Sequence, residues 1–315
     1  MGRIVVRMTS VLESCGGEEE MHYLIGPGAV GGTLALHLHG AGQPVTLCVR
    51  TPMHTLSGEG PDHQLSAQLP TLTRPPAEVR SPTSVMLAVK AYDTASAAPW
   101  LEALTGPGTP VLVMQNGIEH VERVRSWVHP EAIVIPVMVD CPASRSAPGM
   151  IRWRRTPRLR VAAEPLGAEV VAWFDDTGVD AAISDDFEHA LWEKLAVNAI
   201  SGALPTLTRQ PTGVFRRPEV AAMALEALQE CALVARAEGV VLTEAWMQKV
   251  IAGLQGGDPQ RRPSMLQDLE AGRPLEHDAR NGAVVRRGTH HGVPTPINSM
   301  LNRLLRACDA QRSSP

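Results

Sequence analysis

HYLIGPGAVG, residues 22–31, places a short apolar segment directly before a turn that contains three glycines. Gly26 permits a tight reversal from strand to helix, Gly28 lets a ligand approach the backbone, and Gly31 lets the helix pack closely on the strand. The spacing is G-x-G-x-x-G. In such a turn the unpaired N–H groups at the helix start bind the pyrophosphate of a dinucleotide.

The residues after this turn complete a βαβ unit. Residues 29–41 carry apolar side chains at helical spacing and are followed by Gly42, whereas residues 44–49 predict a second strand. Strand, turn, helix and strand thus follow one another within about thirty residues, as the motif requires. We therefore predict that a dinucleotide contacts the turn and the helix start at Gly26, Gly28, Ala29, Val30 and Gly31.

Arg50 follows the second predicted strand, where a chain that binds NAD usually has an acidic residue. A guanidinium can pair with a 2′-phosphate through two hydrogen bonds, whereas a carboxylate would repel it. The alternative is that Arg50 is only a solvated residue at a strand end. The sequence favours NADP(H) over NAD(H) as the cofactor.

Composition limits the possible classes of protein. The chain has 315 residues, enough for two domains, and a formal net charge of −4 with no basic stripe. Only 3% of the residues are aromatic, so the cores must be largely aliphatic. An interspersed charge pattern of this kind gives no electrostatic footprint for nucleic acid.

The five cysteines are scattered, without a C-x-x-C pair or metal-ligand spacing. This pattern favours a reducing cytoplasm and predicts no metal site. No stretch approaches the roughly 18 apolar residues of a membrane helix, so we expect no membrane association. Residues 1–20 include GGEEE at 16–20 and are expected to be a disordered extension.

The pattern of apolar residues predicts an α/β fold with two domains. Residues 51–82 are interpreted as an irregular connection with at most one short strand, at 68–73. Beyond them the patterns predict strands at 84–89, 110–115 and 132–139, helices at 92–104 and 167–177, and a hairpin of 150–154 with 158–163. We expect a Rossmann-type doubly wound sheet with an antiparallel extension in residues 21–185.

From residue 187 onward nearly every segment has helical periodicity, and glycines and prolines end the segments. We therefore expect residues 186–315 to form an all-helical domain. Its predicted helices are 187–203, 218–239, 243–254, 264–271, 276–292 and 297–307.

Polar residues at the ends of the predicted strands are the first candidates for a binding site, because ligands of open α/β sheets lie beyond the carboxyl ends of the strands. Lys90 and Asn116 occupy such positions. For Asn116 the alternative is turn chemistry, since Asn-Gly readily adopts left-handed geometry.

Lys194 and Asn198 are polar members of a largely apolar helix, and their i, i+4 spacing places them on one face. If that face borders a cleft between the domains, Lys194 is a proton donor beside an amide, as carbonyl reduction requires. The alternative is that the lysine extends its ammonium to solvent.

Other candidates carry stronger alternatives. Glu276 lies where acidic residues are favoured at a helix start, and Ser264 begins a segment compatible with an ordinary amphipathic helix. The pair His290 and His291 precedes a glycine, which indicates helix capping rather than metal binding. Nothing in the sequence marks Cys141 as a nucleophile.

Several blocks together resemble the ketopantoate reductase family, over about Met21 to Leu305. Besides the glycine turn they are LAVKA at 87–91, QNG at 115–117, WEKLAVN at 192–198, SMLQD at 264–268, and EHD at 276–278 followed by NG at 281–282. Two of these blocks are specific to that family in this order and spacing: WEKLAVN, and SMLQD followed by EHD and NG.

The resemblance implies a Rossmann domain plus a helical domain with the site between them, and NADPH-dependent reduction of a 2-oxo acid, by default ketopantoate to pantoate. It implies that Lys194 is the general acid and that Glu276 binds substrate and tunes the lysine. The remaining positions it implies are Arg50 at the 2′-phosphate, Lys90 and Asn116 at the cofactor and substrate, and Asn198 and Ser264 at the substrate.

Two alternatives and two departures remain at this point. The chain could reduce another oxo acid or an imine, or be a non-catalytic NADPH-binding sensor; a homodimer is also left open. Gly202 and Arg261 stand where the family pattern has asparagines. Loss of two amide contacts predicts relaxed or redirected selectivity, with a bulkier or more acidic oxo compound preferred over ketopantoate. Arg261 either adds a cation to the site or points to solvent.

Overall fold

A computed structural model describes residues 5–7, 21–77 and 82–310 of the chain. The contacts divide it into two compact units. The first comprises the chain up to Gln115 together with His120–Phe187, and the second comprises Asn116–Glu119 together with the chain from Glu188 onward.

The first unit holds the strands of the described residues. They are β1 (Val5–Arg7), β2 (His22–Ile25), β3 (Val45–Cys48), β4 (Leu56–Glu59), β5 (Gln64–Ala67), β6 (Thr71–Leu72), β7 (Ser84–Leu87), β8 (Pro110–Val113), β9 (Ile133–Pro136), β10 (Met138–Asp140), β11 (Ala143–Ala147), β12 (Met150–Trp153), β13 (Arg158–Val161) and β14 (Asp180–Ile183). Its helices are α1 (Ala29–Gly40), α2 (Ala98–Leu104), α3 (His120–Val124) and α4 (Gly167–Ala172), and a 3₁₀ helix, Ala91–Ala97, precedes α2.

The main sheet has six strands in the order β6-β3-β2-β7-β8-β9, all parallel. Numbered within this sheet the order is 3-2-1-4-5-6, the arrangement of dinucleotide-binding folds, and it reverses between β2 and β7. The predicted Rossmann-type sheet is therefore confirmed. In open α/β sheets ligands bind beyond the carboxyl ends of the strands at such a reversal, which here are β2 and β7.

Both faces of this sheet are buried, which explains the continuous apolar runs of its strands. Leu24 and Met86 belong to one core cluster, whereas Ile25 and Leu87 belong to another. Successive side chains of a strand point to opposite faces, so the two clusters lie on opposite sides of the sheet. A parallel sheet covered on both sides favours apolar residues on both of its faces.

The segment 51–82 contains more strand than predicted. It holds β4 and β5 as an antiparallel pair as well as β6, and β4 also pairs in parallel with β12. Because glycine has low strand propensity, Gly58 and Gly60 made this segment look irregular in the sequence. They are needed because a Cβ at Gly58 or Gly60 would collide with the ring of Trp153. Tertiary packing thus overrides the low strand propensity of glycine.

The expected hairpin of 150–154 with 158–163 is wrong. β12 pairs antiparallel with β11 across a turn at Gly149, whose φ is +72°, whereas β13 pairs with β10 and β14 in a separate three-stranded sheet. The segment 132–139 likewise divides into β9 and β10, which lie in different sheets. Alternation identifies strands but does not specify their partners.

Part of the amino-terminal expectation also needs correction. Val5–Arg7 pairs in parallel with β5 at the edge of the mixed sheet, so these three residues are not a disordered extension. An edge strand offers unpaired backbone groups, and the two valines have high strand propensity. The other residues of 1–20 lie outside the described part of the chain.

The second unit is helical in its described residues, as predicted. Its helices are α5 (Phe187–Thr208), α6 (Pro218–Ala237), α7 (Glu244–Gly256), α8 (Ser264–Glu270), α9 (Ala283–His291) and α10 (Pro296–Ala310). Phe187, the first residue of α5, is grouped with the first unit. A 3₁₀ helix, Thr212–Arg216, follows α5, and a π-helical turn, Asp278–Gly282, leads directly into α9.

α5 continues past the expected end at residue 203 and contains Pro205. Proline removes one backbone donor from the helix. The carbonyls of Gly202 and Leu204 accept from the hydroxyls of Thr206 and Thr208, both at 2.7 Å.

Among the described residues no helix is long and apolar enough to cross a membrane.

Candidate functional site

The glycine turn in the first unit is shaped by close backbone contacts. Gly26 has φ of +85°, and a Cβ there would lie 2.9 Å from the backbone nitrogen of Val89. A Cβ on Gly31 would lie 2.6 Å from the carbonyl oxygen of Gly26 and 2.8 Å from Cβ of Ala88. Both positions therefore require glycine to hold α1 against the carboxyl ends of β2 and β7.

Gly28 has a different reason to be glycine. The nearest atom to a Cβ at this position would be the carbonyl oxygen of Gly26, at 4.0 Å, and its φ of −74° suits any residue. Gly28 is the N-cap of α1, and no side chain caps the helix. Ala29 and Val30, in the first turn, are half-buried. The turn thus presents uncapped N–H groups to an anion.

The other predicted cofactor residues of this unit lie at strand ends. Arg50 is exposed and follows β3, and Lys90 is half-buried and follows β7. Since β3, β2 and β7 are parallel neighbours, their carboxyl ends meet at one edge of the sheet. The structure therefore places both cations at the edge that carries the glycine turn.

Three predicted substrate residues meet in the second unit through Arg280, which was not among the predicted site residues. Glu276 Oε2 accepts from Asn116 Nδ2 at 3.0 Å and from Arg280 Nη2 at 3.3 Å. Nη2 of Arg280 also donates to Ser264 Oγ at 3.2 Å. We call Asn116, Ser264, Glu276 and Arg280 the carboxylate–guanidinium cluster.

The cluster is buried at one end and open at the other. The side chains of Glu276 and Arg280 are only 3% and 4% exposed, whereas Ser264 is exposed. A buried ion pair needs further hydrogen bonds to offset desolvation, and the amide of Asn116 supplies one to the carboxylate. Glu276 precedes the π-helical turn, so it is not a residue of the helix itself.

Lys194 and Asn198 lie on α5, and both are half-buried. Gly202 continues their face after one further turn, and a Cβ there would lie 2.7 Å from Nη1 of Arg280. The side of α5 that carries the predicted proton donor therefore reaches the cluster at Gly202. Arg261, the other departure, is exposed. The cation beside Gly202 is Arg280 instead.

Arg280 directly precedes a buried run, residues 281–284, and no sequence pattern marked it as a site residue. The burial of that run depends on a polar network. Asn281 Nδ2 donates to Asn298 Oδ1 at 3.0 Å, and Asn298 Nδ2 donates to Glu230 Oε2 at 2.8 Å. This network ties the π-helical turn, and with it Arg280, to α6 and α10.

A separate ion pair holds the loop that carries Asn116. Arg286 donates from Nη2 to Glu119 Oε2 at 2.6 Å, from Nε to Glu119 Oε1 at 3.0 Å, and from Nη1 to Asp278 Oδ1 at 2.7 Å. The hydrogen bonds to Glu119 raise the pKa of Arg286 above its ordinary value. This bidentate pairing fixes residues 116–119 against α9, within the second unit.

Other titratable groups have structural surroundings. Burial raises the pKa of the Cys141 thiol to about 12, which leaves it protonated and unreactive at neutral pH. His291 contacts Glu238 at 3.2 Å at the end of α9, beside Gly292 with φ of +67°. No group of three potential metal ligands occurs among the described residues.

Family models and known proteins match most of this chain. The family model described as Ketopantoate reductase PanE/ApbA matches residues 22–164, and the model for the C terminal part of the same family matches residues 186–309. The chain is 41% identical to a 2-dehydropantoate 2-reductase of Caulobacter vibrioides over 287 residues, which cover 90% of this chain and 97% of the relative.

A 2-dehydropantoate 2-reductase of Mycobacterium tuberculosis is 39% identical over 287 residues, covering 90% of this chain and 96% of that protein. Among solved structures, a PanE/ApbA family ketopantoate reductase from Ralstonia eutropha JMP134 superposes with a TM-score of 0.84 at 31% identity. That match covers 93% of this chain and 99% of the other.

Proposed function

The chain belongs to the ketopantoate reductase family, a family of oxidoreductases, and from this premise we propose that it reduces a 2-oxo acid to the 2-hydroxy acid with NADPH. The observation that carries the proposal is the carboxylate–guanidinium cluster. It joins Asn116, Ser264 and Glu276 next to the face of α5 that bears Lys194 and Asn198. Ketopantoate is the first substrate to test.

The first unit binds the cofactor in this proposal. The pyrophosphate is held by the N–H groups at the start of α1, where Gly28 leaves room for it, and the 2′-phosphate pairs with Arg50. Lys90 adds positive charge at the same edge. Bound NADPH supplies the hydride.

The second unit binds the substrate and supplies the proton. As the carbonyl carbon is reduced, negative charge grows on its oxygen, and the ammonium of Lys194 stabilises and protonates that oxygen. Asn116, Asn198 and Ser264 donate hydrogen bonds to the substrate. Glu276 orients Asn116 by its hydrogen bond and balances the charge of the lysine.

The test follows NADPH oxidation at 340 nm with a panel of 2-oxo acids that includes ketopantoate. Rapid oxidation with a 2-oxo acid, lost in Lys194→Ala while NADPH still binds, would support the proposal. NADPH binding without oxidation of any panel member would instead favour a non-catalytic sensor, and oxidation only with imines would move the chain to another substrate class.

One observation favours a second candidate, a family member that prefers an oxo acid other than ketopantoate. Gly202 stands where the family pattern has an asparagine, and the guanidinium of Arg280 lies against it. Exchange of a neutral amide for a cation favours a more acidic substrate. The same panel decides this: if ketopantoate has the highest kcat/KM, at about 10⁴ M⁻¹s⁻¹ or more, the substitution is neutral.

The homodimer stays a prediction.

A further inference from the structure

Arg280 is buried yet incompletely hydrogen-bonded. Its two bonds both come from Nη2, one to Glu276 at 3.3 Å and one to Ser264 at 3.2 Å. The Nε group is buried and has no hydrogen-bond partner in the described part of the chain. A buried donor without a partner is costly, so a guanidinium kept in this state points to a missing ligand.

Gly202 makes room for this guanidinium. A Cβ at residue 202 would lie 2.7 Å from Nη1 of Arg280 but 3.5 Å from Cε of Met265, so the guanidinium is what a side chain there would displace first. The guanidinium of Arg280 thus fills the volume that a side chain at residue 202 would need. The pair lies on the α5 face of Asn198 and Lys194.

The chemistry of the cluster indicates an anionic ligand with two oxygens. A guanidinium presents a planar fork of donors that matches a carboxylate, and Glu276 uses only one of these donors, in a single long bond. The exposed Ser264 marks the side from which a ligand reaches Nη2. A neutral ligand would form weaker hydrogen bonds with the donors that Glu276 does not use.

We propose that Arg280, in the space left by Gly202, binds the carboxylate of the substrate and is a specificity-determining residue of this chain. This inference rests on the proposed reduction of a 2-oxo acid. It assigns the acid group of the substrate to Arg280, and leaves the carbonyl oxygen to Lys194.

The first experiment compares Arg280→Met with Arg261→Met, a matched loss of an exposed arginine. Both variants are assayed with ketopantoate and with its uncharged lactone. We expect Arg280→Met to lower kcat/KM for the acid by about tenfold to a hundredfold, mainly through KM, and to change the lactone rate by less than about threefold. Arg261→Met should match the wild type with both.

An equal loss with acid and lactone would make Arg280 a structural residue, and an unchanged KM for the acid would also overturn the proposal. Gly202→Ala provides a second variant if Arg280→Met does not fold, because its methyl group displaces a flexible side chain rather than backbone. It should raise KM for the acid and spare the lactone; the reverse contradicts the inference.

Binding separates this inference from the proposed function. If none of the 2-oxo acids supports NADPH oxidation by the wild type, the proposed function is wrong. The role of Arg280 can still be tested by comparing equilibrium binding of oxamate with that of neutral oxamide. Wild-type protein should bind oxamate at least about tenfold more tightly than Arg280→Met does, with oxamide unaffected. Equal oxamate binding by both proteins would refute the carboxylate role.

Discussion

Replacing Gly28 by alanine should weaken cofactor binding without destabilising the protein. The added Cβ would have no protein atom nearer than 4.0 Å, and the φ of −74° is ordinary for alanine. The methyl group would instead project into the open space before the first turn of α1. That is the space in which we place the pyrophosphate.

The magnitude follows from the hydrogen bonds that the methyl group would lengthen. One hydrogen bond to a charged group is worth about 1.5–3 kcal/mol, so loss of one corresponds to about a tenfold to hundredfold higher Kd for NADPH. The free energy of unfolding of the apoprotein should change by less than about 0.5 kcal/mol, as for a substitution that removes no contact. Nucleotide fluorescence titration and urea unfolding measure the two quantities.

Gly31→Ala is the matched control, since it differs only in its position on the same turn. Its Cβ would lie 2.6 Å from the carbonyl oxygen of Gly26, and backbone must move to accommodate it. We expect about 1–3 kcal/mol of destabilisation, the usual cost of overpacking. If Gly28→Ala unfolds as easily as Gly31→Ala, or binds NADPH like the wild type, the assignment of the open space to the pyrophosphate is refuted.

Three further predictions concern single side chains. Arg50→Ala should raise the Kd of NADPH by about tenfold to a hundredfold in the same titration while that of NADH stays constant, because only NADPH has a 2′-phosphate; equal loss for both cofactors contradicts the assignment. Lys194→Ala should lower kcat by about 10²- to 10⁴-fold with NADPH binding retained, and a change below about fivefold would show that the lysine only reaches solvent. Burial lowers the pKa of His22 from 6.5 to about 4, so the unfolded chain binds the proton first and stability is lost as the pH falls from 6.5 to 4. The loss measured by urea unfolding should be about 3 kcal/mol, and His22→Gln should remove it; an unchanged slope in the variant would place the effect elsewhere.

The sequence alone was sufficient wherever the controlling interactions are local. Glycine spacing, a strand on either side and a helix between them predict the βαβ unit, and the same segment appears as β2, α1 and β3. Helical periodicity likewise predicted every α-helix of the second unit, because each buries one face along a continuous stretch of chain. For the site, local pattern and resemblance indicated Asn116, Ser264 and Glu276.

Tertiary structure alone decided which distant segments meet. β4 pairs with β12 although both were expected in other arrangements, since strand alternation contains no information about partners. Asn116 and Glu276 form a hydrogen bond across 160 positions of sequence. Arg280 could not be identified as part of the site from sequence, because its role depends on an absent side chain at Gly202 on another helix. The sequence shows that residue 202 lacks a side chain, but only the packing shows that Nη1 of Arg280 lies in the place of that side chain.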